Sequence, residues 1–97
     1  MSTPLTIVAK IVAKEGSEEL VERALLDLVE PTRAEAGCIQ YDLHRDHENP
    51  GTFLFYENWE TKPAWEAHMK TAHIATMAAA TEGHLEEKEI LQMERIR

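Results

Sequence analysis

Two histidines, a glutamate and two tryptophans crowd one short stretch of this chain. Phe53 to His73, FLFYENWETKPAWEAHMKTAH, holds both tryptophans, both phenylalanines, one of the two tyrosines and two of the five histidines in 21 residues. Imidazole is the side chain best suited to carry a proton near neutral pH, so His68 and His73 are candidate general bases. Glu57 lies among aromatics, where a carboxyl needs a partner or a raised pKa and can orient a substrate hydroxyl. Trp59 and Trp65 can bracket a planar ligand, with Phe53, Phe55 and Ile11 beneath it. Together these residues suit proton removal from a flat molecule in a dry pocket.

Each has a plainer reading. The phenylalanines and tryptophans can be core, the histidines surface or structural groups, and Glu57 one half of an ion pair with Arg45 across a hairpin. His68 and His73 are five residues apart, a rotation of about 140° on an unbroken helix. They share a side only if the helix breaks near Lys70-Thr71, where Thr71 can cap a second short helix. As a metal pair they have the wrong spacing and no evident third ligand, so no metal is expected. His44, Asp46 and His47 read as a polar loop entrance, and Cys38 as a small buried hydrophobe.

The elements that must position these groups follow from periodicity. Leu5 to Ala13 reads as a strand with a wholly apolar odd side, Leu5, Ile7, Ala9, Ile11 and Ala13. Ser17 is an N-cap, followed by Leu20, Val21, Ala24, Leu25, Leu28 and Val29 at helical spacing. Pro31 should kink or interrupt that helix, and Gly37 should end it. Cys38 to Asp46 is a second strand, with Ile39, Tyr41 and Leu43 on one face. Asn49-Pro50-Gly51 is a turn. In the third strand, Phe53, Phe55, Glu57 and Trp59 alternate with Leu54, Tyr56, Asn58 and Glu60. A helical region runs from Pro63 to about Ala80, Gly83 breaks it, and Glu87 to Ile96 reads as the last strand.

The order β-α-β-β-α-β predicts an α+β, ferredoxin-like domain over residues 1–97: a four-stranded antiparallel sheet with helices on one face. Val8, Val12, Leu54, Tyr56, Ile90 and Ile96 should occupy the other face. That is too apolar for a wetted surface, so a two-fold homodimer, sheet against sheet, is expected. The net charge of −8 argues against nucleic acid and against an anionic membrane surface. One cysteine permits no intrachain disulfide. With no basic N-terminal region and no apolar run near 18 residues, a cytoplasmic protein is expected. Gly-rich phosphate loops, Ser-His-Asp patterns and dinucleotide fingerprints are absent.

In order along the chain, Thr32-Arg33-x-Glu35-x-Gly37-Cys38-x-x-Tyr41, Phe53-x-Phe55-x-Glu57-x-Trp59, Ala67-His68 and His73 resemble the antibiotic biosynthesis monooxygenase superfamily of dimeric α+β barrels. The resemblance covers nearly the whole chain and leans toward the small bacterial quinol monooxygenases. It implies oxidation of a small phenolic or quinol substrate by O₂ without metal, flavin or other cofactor, with His68 or His73 as base, Trp59 and Trp65 stacking, and Glu57 orienting a hydroxyl. Two branches fit less well. The polyketide-modifying branch carries an asparagine where this chain has Phe55. The haem-degrading branch carries an asparagine and an iron-binding histidine where this chain has Ile11 and Ala78. The alternatives are a non-oxidative isomerase acting on a small carbonyl or enol, and a module that binds a small aromatic without turnover.

Overall fold

A computed structural model describes residues 4–97. The elements are β1 (Leu5–Ala13), α1 (Glu18–Leu26), α2 (Val29–Arg33), β2 (Cys38–Arg45), β3 (Thr52–Trp59), α3 (Lys62–His68), α4 (Ala72–Thr81) and β4 (Leu85–Met93). The strands form one antiparallel sheet in the order β2-β3-β1-β4. This is the ferredoxin-like arrangement, with each of its two helices divided in two. None of the helices among the described residues is long and apolar enough to cross a membrane.

Alternation sets the inner face. Leu5, Ile7, Ala9 and Ile11 of β1 pair with Trp59, Glu57, Phe55 and Phe53 of β3, and all but the half-buried Leu5 are buried. Val21, Ala24, Leu25 and Leu28 close over them, the apolar stripe of the first helical stretch. Burying this single face supplies most of the driving force for so small a domain.

Both helix breaks have local causes. Pro31 has no N–H for the Asp27 carbonyl, and its ring crowds that group. The chain therefore leaves α1 after Leu26, tightens through a Leu28 N–H bond to the Leu25 carbonyl at 3.1 Å, and resumes as α2. The interruption lies four residues before the proline. The second break is made by Thr71. Its hydroxyl donates to the His68 carbonyl at 2.8 Å and accepts from the Ile74 N–H at 3.4 Å. One side chain thus ends α3 and caps α4.

Three expectations change. β4 spans Leu85–Met93 rather than reaching Ile96, which lies beyond the strand and is 94% exposed. Ile90 is not on the outer face: it pairs with Ala9, and antiparallel partners share a side, so it packs against the core. A bulge between Cys38 and Gln40 reverses one position of β2. Cys38 takes the inward place opposite Trp59, and Ile39 turns outward, 57% exposed. The outer face keeps Val8, Val12 and Leu54 half-covered and Tyr56, Leu91 and Met93 exposed.

Candidate active site

A narrow cavity lies between the inner sheet face and the helices. Ile7, Ala9, Ile11, Phe55, Leu28, Trp65, Met69, Ile74, Met77 and Ile90 make most of its wall, and Tyr41, Glu57, His68 and Lys88 are its polar members. Its volume is about 40 Å³, room for roughly two or three waters. An aromatic ring enters only when flexible wall residues such as Met69 and Met77 swing aside, a motion suited to methionine.

His68 ends α3 and is 2% exposed. Its ring lies between Trp59, with centroids 4.9 Å apart, and Tyr41, which it meets in a T-shaped contact at 5.5 Å. Its Nδ1 lies 2.7 Å from Oε2 of Glu35. A carboxylate oxygen only accepts, so this bond places the ring proton on Nδ1 and leaves Nε2 with its lone pair. Burial holds His68 below the usual imidazole range, the Glu35 bond and charge pull the other way, and His73 adds to the lowering. A neutral, oriented imidazole on a cavity with mostly apolar walls is the state a general base requires.

Glu35 owes its position to Gly37. That glycine has φ +86°, and a Cβ there would stand 2.6 Å from the Ala64 Cβ, so the α2–β2 loop lies directly on α3. The Glu60 N–H seals the contact by donating to the Gly37 carbonyl at 2.8 Å. The same Oε2 of Glu35 also meets Nε2 of His73 at 2.6 Å. The break at Thr71 brings the two imidazoles together, with ring centroids 6.0 Å apart.

Glu35, His68 and His73 are therefore the residues that can hold a metal ion, with donor atoms within 4.8 Å of one another. The expectation that the pair lacked both a shared side and a third donor is corrected by this geometry. As arranged, both nitrogens converge on one oxygen at hydrogen-bond distance. A divalent ion needs its donors spread around it at about 2.1 Å instead.

Glu57 is 4% exposed and does not pair with Arg45, which bonds Glu22. Its Oε1 accepts from the indole N–H of Trp59 at 2.9 Å. Burial pushes its carboxyl up to about 7, the Trp59 bond opposes this, and the Glu35 charge adds to it. Tyr41 stacks on Phe55 at 4.7 Å, and burial followed by the Glu57 charge pushes its phenol far up. Cys38 is only half-buried, and that partial burial raises its thiol, which suits a small packing residue better than a nucleophile. Asp46 shapes the loop after β2 by accepting from the Asn49 and Glu48 N–H groups.

The cavity gathers His68, Glu57, Trp65, Phe55 and Ile11 from the sequence-predicted set. It does not gather the rest. Trp59 is wholly buried behind His68 and Glu57, so it supports them rather than facing a ligand. Phe53 borders a different depression, near Leu43 and His44. His73 borders an outer cleft with Ala24, Asp27 and Thr76. Missing from the sequence set are Glu35 and Tyr41. Their signals were Gly37, which marks a close approach, and the inward alternation of β2.

A model of the family described as antibiotic biosynthesis monooxygenase matches residues 4–91. The chain is 37% identical over 68 residues to a Bacillus subtilis protein, YcnE, provisionally named a monooxygenase; the match covers 70% of each. It is 30% identical over 70 residues to the uncharacterized protein sll1783 of Synechocystis, covering 72% of this chain and 48% of that one, so it spans about half that relative's length. Among solved structures it resembles PA3566 of Pseudomonas aeruginosa, with 43% identity and a TM-score of 0.95 over 100% of this chain and 98% of that one.

Proposed function

This chain belongs to the antibiotic biosynthesis monooxygenase family, and from that premise we propose that it oxidises a small phenolic or quinol substrate with O₂, using no bound redox group. The observation that carries this reading is the Glu35–His68 bond at 2.7 Å beside an apolar cavity. His68 Nε2 takes the phenolic proton, and Glu35 balances the imidazolium. The phenolate passes one electron to O₂, and the radical pair recombines into a C–O bond. Loss of water then leaves a quinone. The substrate gives up two hydrogens and gains one oxygen, and the second oxygen leaves as water. The protein contributes a base, a fixed orientation and a water-poor site.

Homodimerisation through the outer sheet face belongs to the same proposal. Tyr56, Leu91 and Met93 are exposed there, beside a hydrogen-bonded ladder from Thr6 through Asn58 and Gln40 to Asp42. The free Cys38 thiol fits a reducing compartment such as the cytoplasm.

Oxygen consumption by the purified, metal-stripped protein against reduced quinones and dihydroxynaphthalenes tests the chemistry. Uptake above the autoxidation blank, reduced at least a hundredfold in His68→Gln, is the expected result. No uptake across the panel sinks the oxidative reading. The raised carboxyl of Glu57 on the same cavity as His68 favours one alternative, an isomerase working on a small carbonyl or enol. That activity would appear as deuterium exchange from heavy water into such a substrate, without oxygen uptake.

A further inference from the structure

Removing a proton from a hydroxyl or from a carbon beside a carbonyl leaves negative charge on an oxygen. Apart from His68 and the exposed Lys88, the cavity's polar groups are Tyr41 and Glu57. Tyr41 and Glu57 are direct cross-strand partners on β2 and β3, so their side chains rise from the sheet on the same inner side as neighbours. Both line the cavity with His68. Tyr41 stacks on Phe55, makes a T-shaped contact with His68, and is 2% exposed. Beside its phenol stands Thr32, wholly buried, whose hydroxyl has no partner among the described residues other than that phenol. Glu57 has Oε1 engaged by the Trp59 indole, while Oε2 has no protein partner among the described residues.

We propose that Tyr41 and Glu57 form an oxyanion hole: their O–H groups donate to the substrate oxygen that takes up the charge when His68 removes a proton, and the ligand class is the phenolate or enolate of a small, largely apolar molecule. The proposal rests on the reading of His68 as the base and extends it to the oxygen. The substrate's O–H or C–H bond breaks, an N–H bond forms at Nε2, and the electron pair stays with the substrate as charge on its oxygen. Two neutral donors stabilise that charge without repelling it, and buried donors fixed in place need no reorganisation. Burial suits both to the task. The phenol keeps its proton throughout the working range, and the Glu57 carboxyl keeps its own up to about pH 7. Trp59 is a positioning residue here, because by holding Oε1 it leaves Oε2 to carry the proton.

The test needs no turnover. 4-Nitrophenol, whose anion is yellow, is titrated with the full-length protein at about pH 6, beside 4-nitroanisole, which has a similar size and no ionisable hydroxyl. The wild type should bind the phenol as its anion, and Tyr41→Phe should bind that anion at least tenfold more weakly while leaving the anisole unchanged. Anion affinity in the wild type should fall more steeply above about pH 7 than in Glu57→Gln, because the wild type loses the Glu57 proton as well as the one His68 holds in the complex. A colourless bound phenol, or equal losses for phenol and anisole in Tyr41→Phe, overturns the proposal. Oxygen uptake without anion preference removes the oxyanion hole and keeps the monooxygenase; anion preference without uptake does the reverse.

Discussion

Replacing Glu57 with glutamine should change the sign of its effect on stability across the pH scale. The carboxyl is raised from 4.5 to about 7 by burial. Between those values the native protein holds a proton that the unfolded chain has released, so stability falls as pH rises. The contribution is fully present below about pH 4.5 and is lost as pH climbs through 7. At about 1.36 kcal/mol for each pH step, the loss comes to about 3 kcal/mol. At 4% exposure, solvent screening subtracts little from it. Glutamine still accepts from the Trp59 indole, but it carries two N–H groups where the acid carries one O–H, and the extra donor without a partner costs about 1 kcal/mol at every pH. Glu57→Gln should therefore be about 1 kcal/mol less stable than the wild type at pH 4.5 and about 2 kcal/mol more stable at pH 8.5. Urea unfolding followed by circular dichroism, at fixed protein concentration and with a common m-value, measures the difference. A difference that stays flat with pH, or a variant weaker than wild type at pH 8.5, would mean that Glu57 is an ordinary ionised carboxylate and would refute the reasoning.

Glu35→Gln should lower turnover on an accepted substrate about tenfold and move the acid limb of its pH profile downward. Glu35 is what opposes the lowering of His68 by burial, so its removal leaves burial unopposed; an unchanged profile would show the carboxylate to be incidental. Gly37→Ala should cost about 3 kcal/mol, adding a left-handed backbone penalty to a 2.6 Å clash with Ala64. Gly16→Ala, with similar φ but open space around it, should cost only about 1 kcal/mol. Equal losses in a urea series would remove the close-approach argument. Tyr56→Glu places a charge in the exposed apolar strip and should shift the sedimenting species from about 22 kDa, twice the chain mass, to 11.1 kDa. A wild type already at 11.1 kDa would remove the dimer.

Much of the fold was legible because the inner faces of β1 and β3 are apolar at every alternate residue except Glu57. Nine residues from Leu5 to Ala13 settle their own inner side, and Phe53, Phe55, Glu57 and Trp59 settle theirs. Alternation reports which side a residue takes, but not what lies above it. Trp59 and Phe55 are indistinguishable by that rule, yet one is sealed behind His68 while the other lines the cavity. The difference depends on where α3 crosses β3, which no local pattern encodes.

The site itself stands where the periods fail. His73 meets His68 because Thr71 interrupts a helix, and Glu35 meets both because Gly37 lets a loop lie on α3. Glu35 is 33 residues from one partner and 38 from the other, and an acid between Pro31 and Gly37 reads locally as a solvated loop group. An uninterrupted helix places its side chains by rotation alone, and a five-residue spacing would send these two imidazoles apart. Convergence of two imidazoles on one carboxylate oxygen therefore required that both the helix and the loop give up regular structure at named residues. Thr71 and Gly37 are for that reason the positions at which the geometry of the site is specified, although neither touches the cavity.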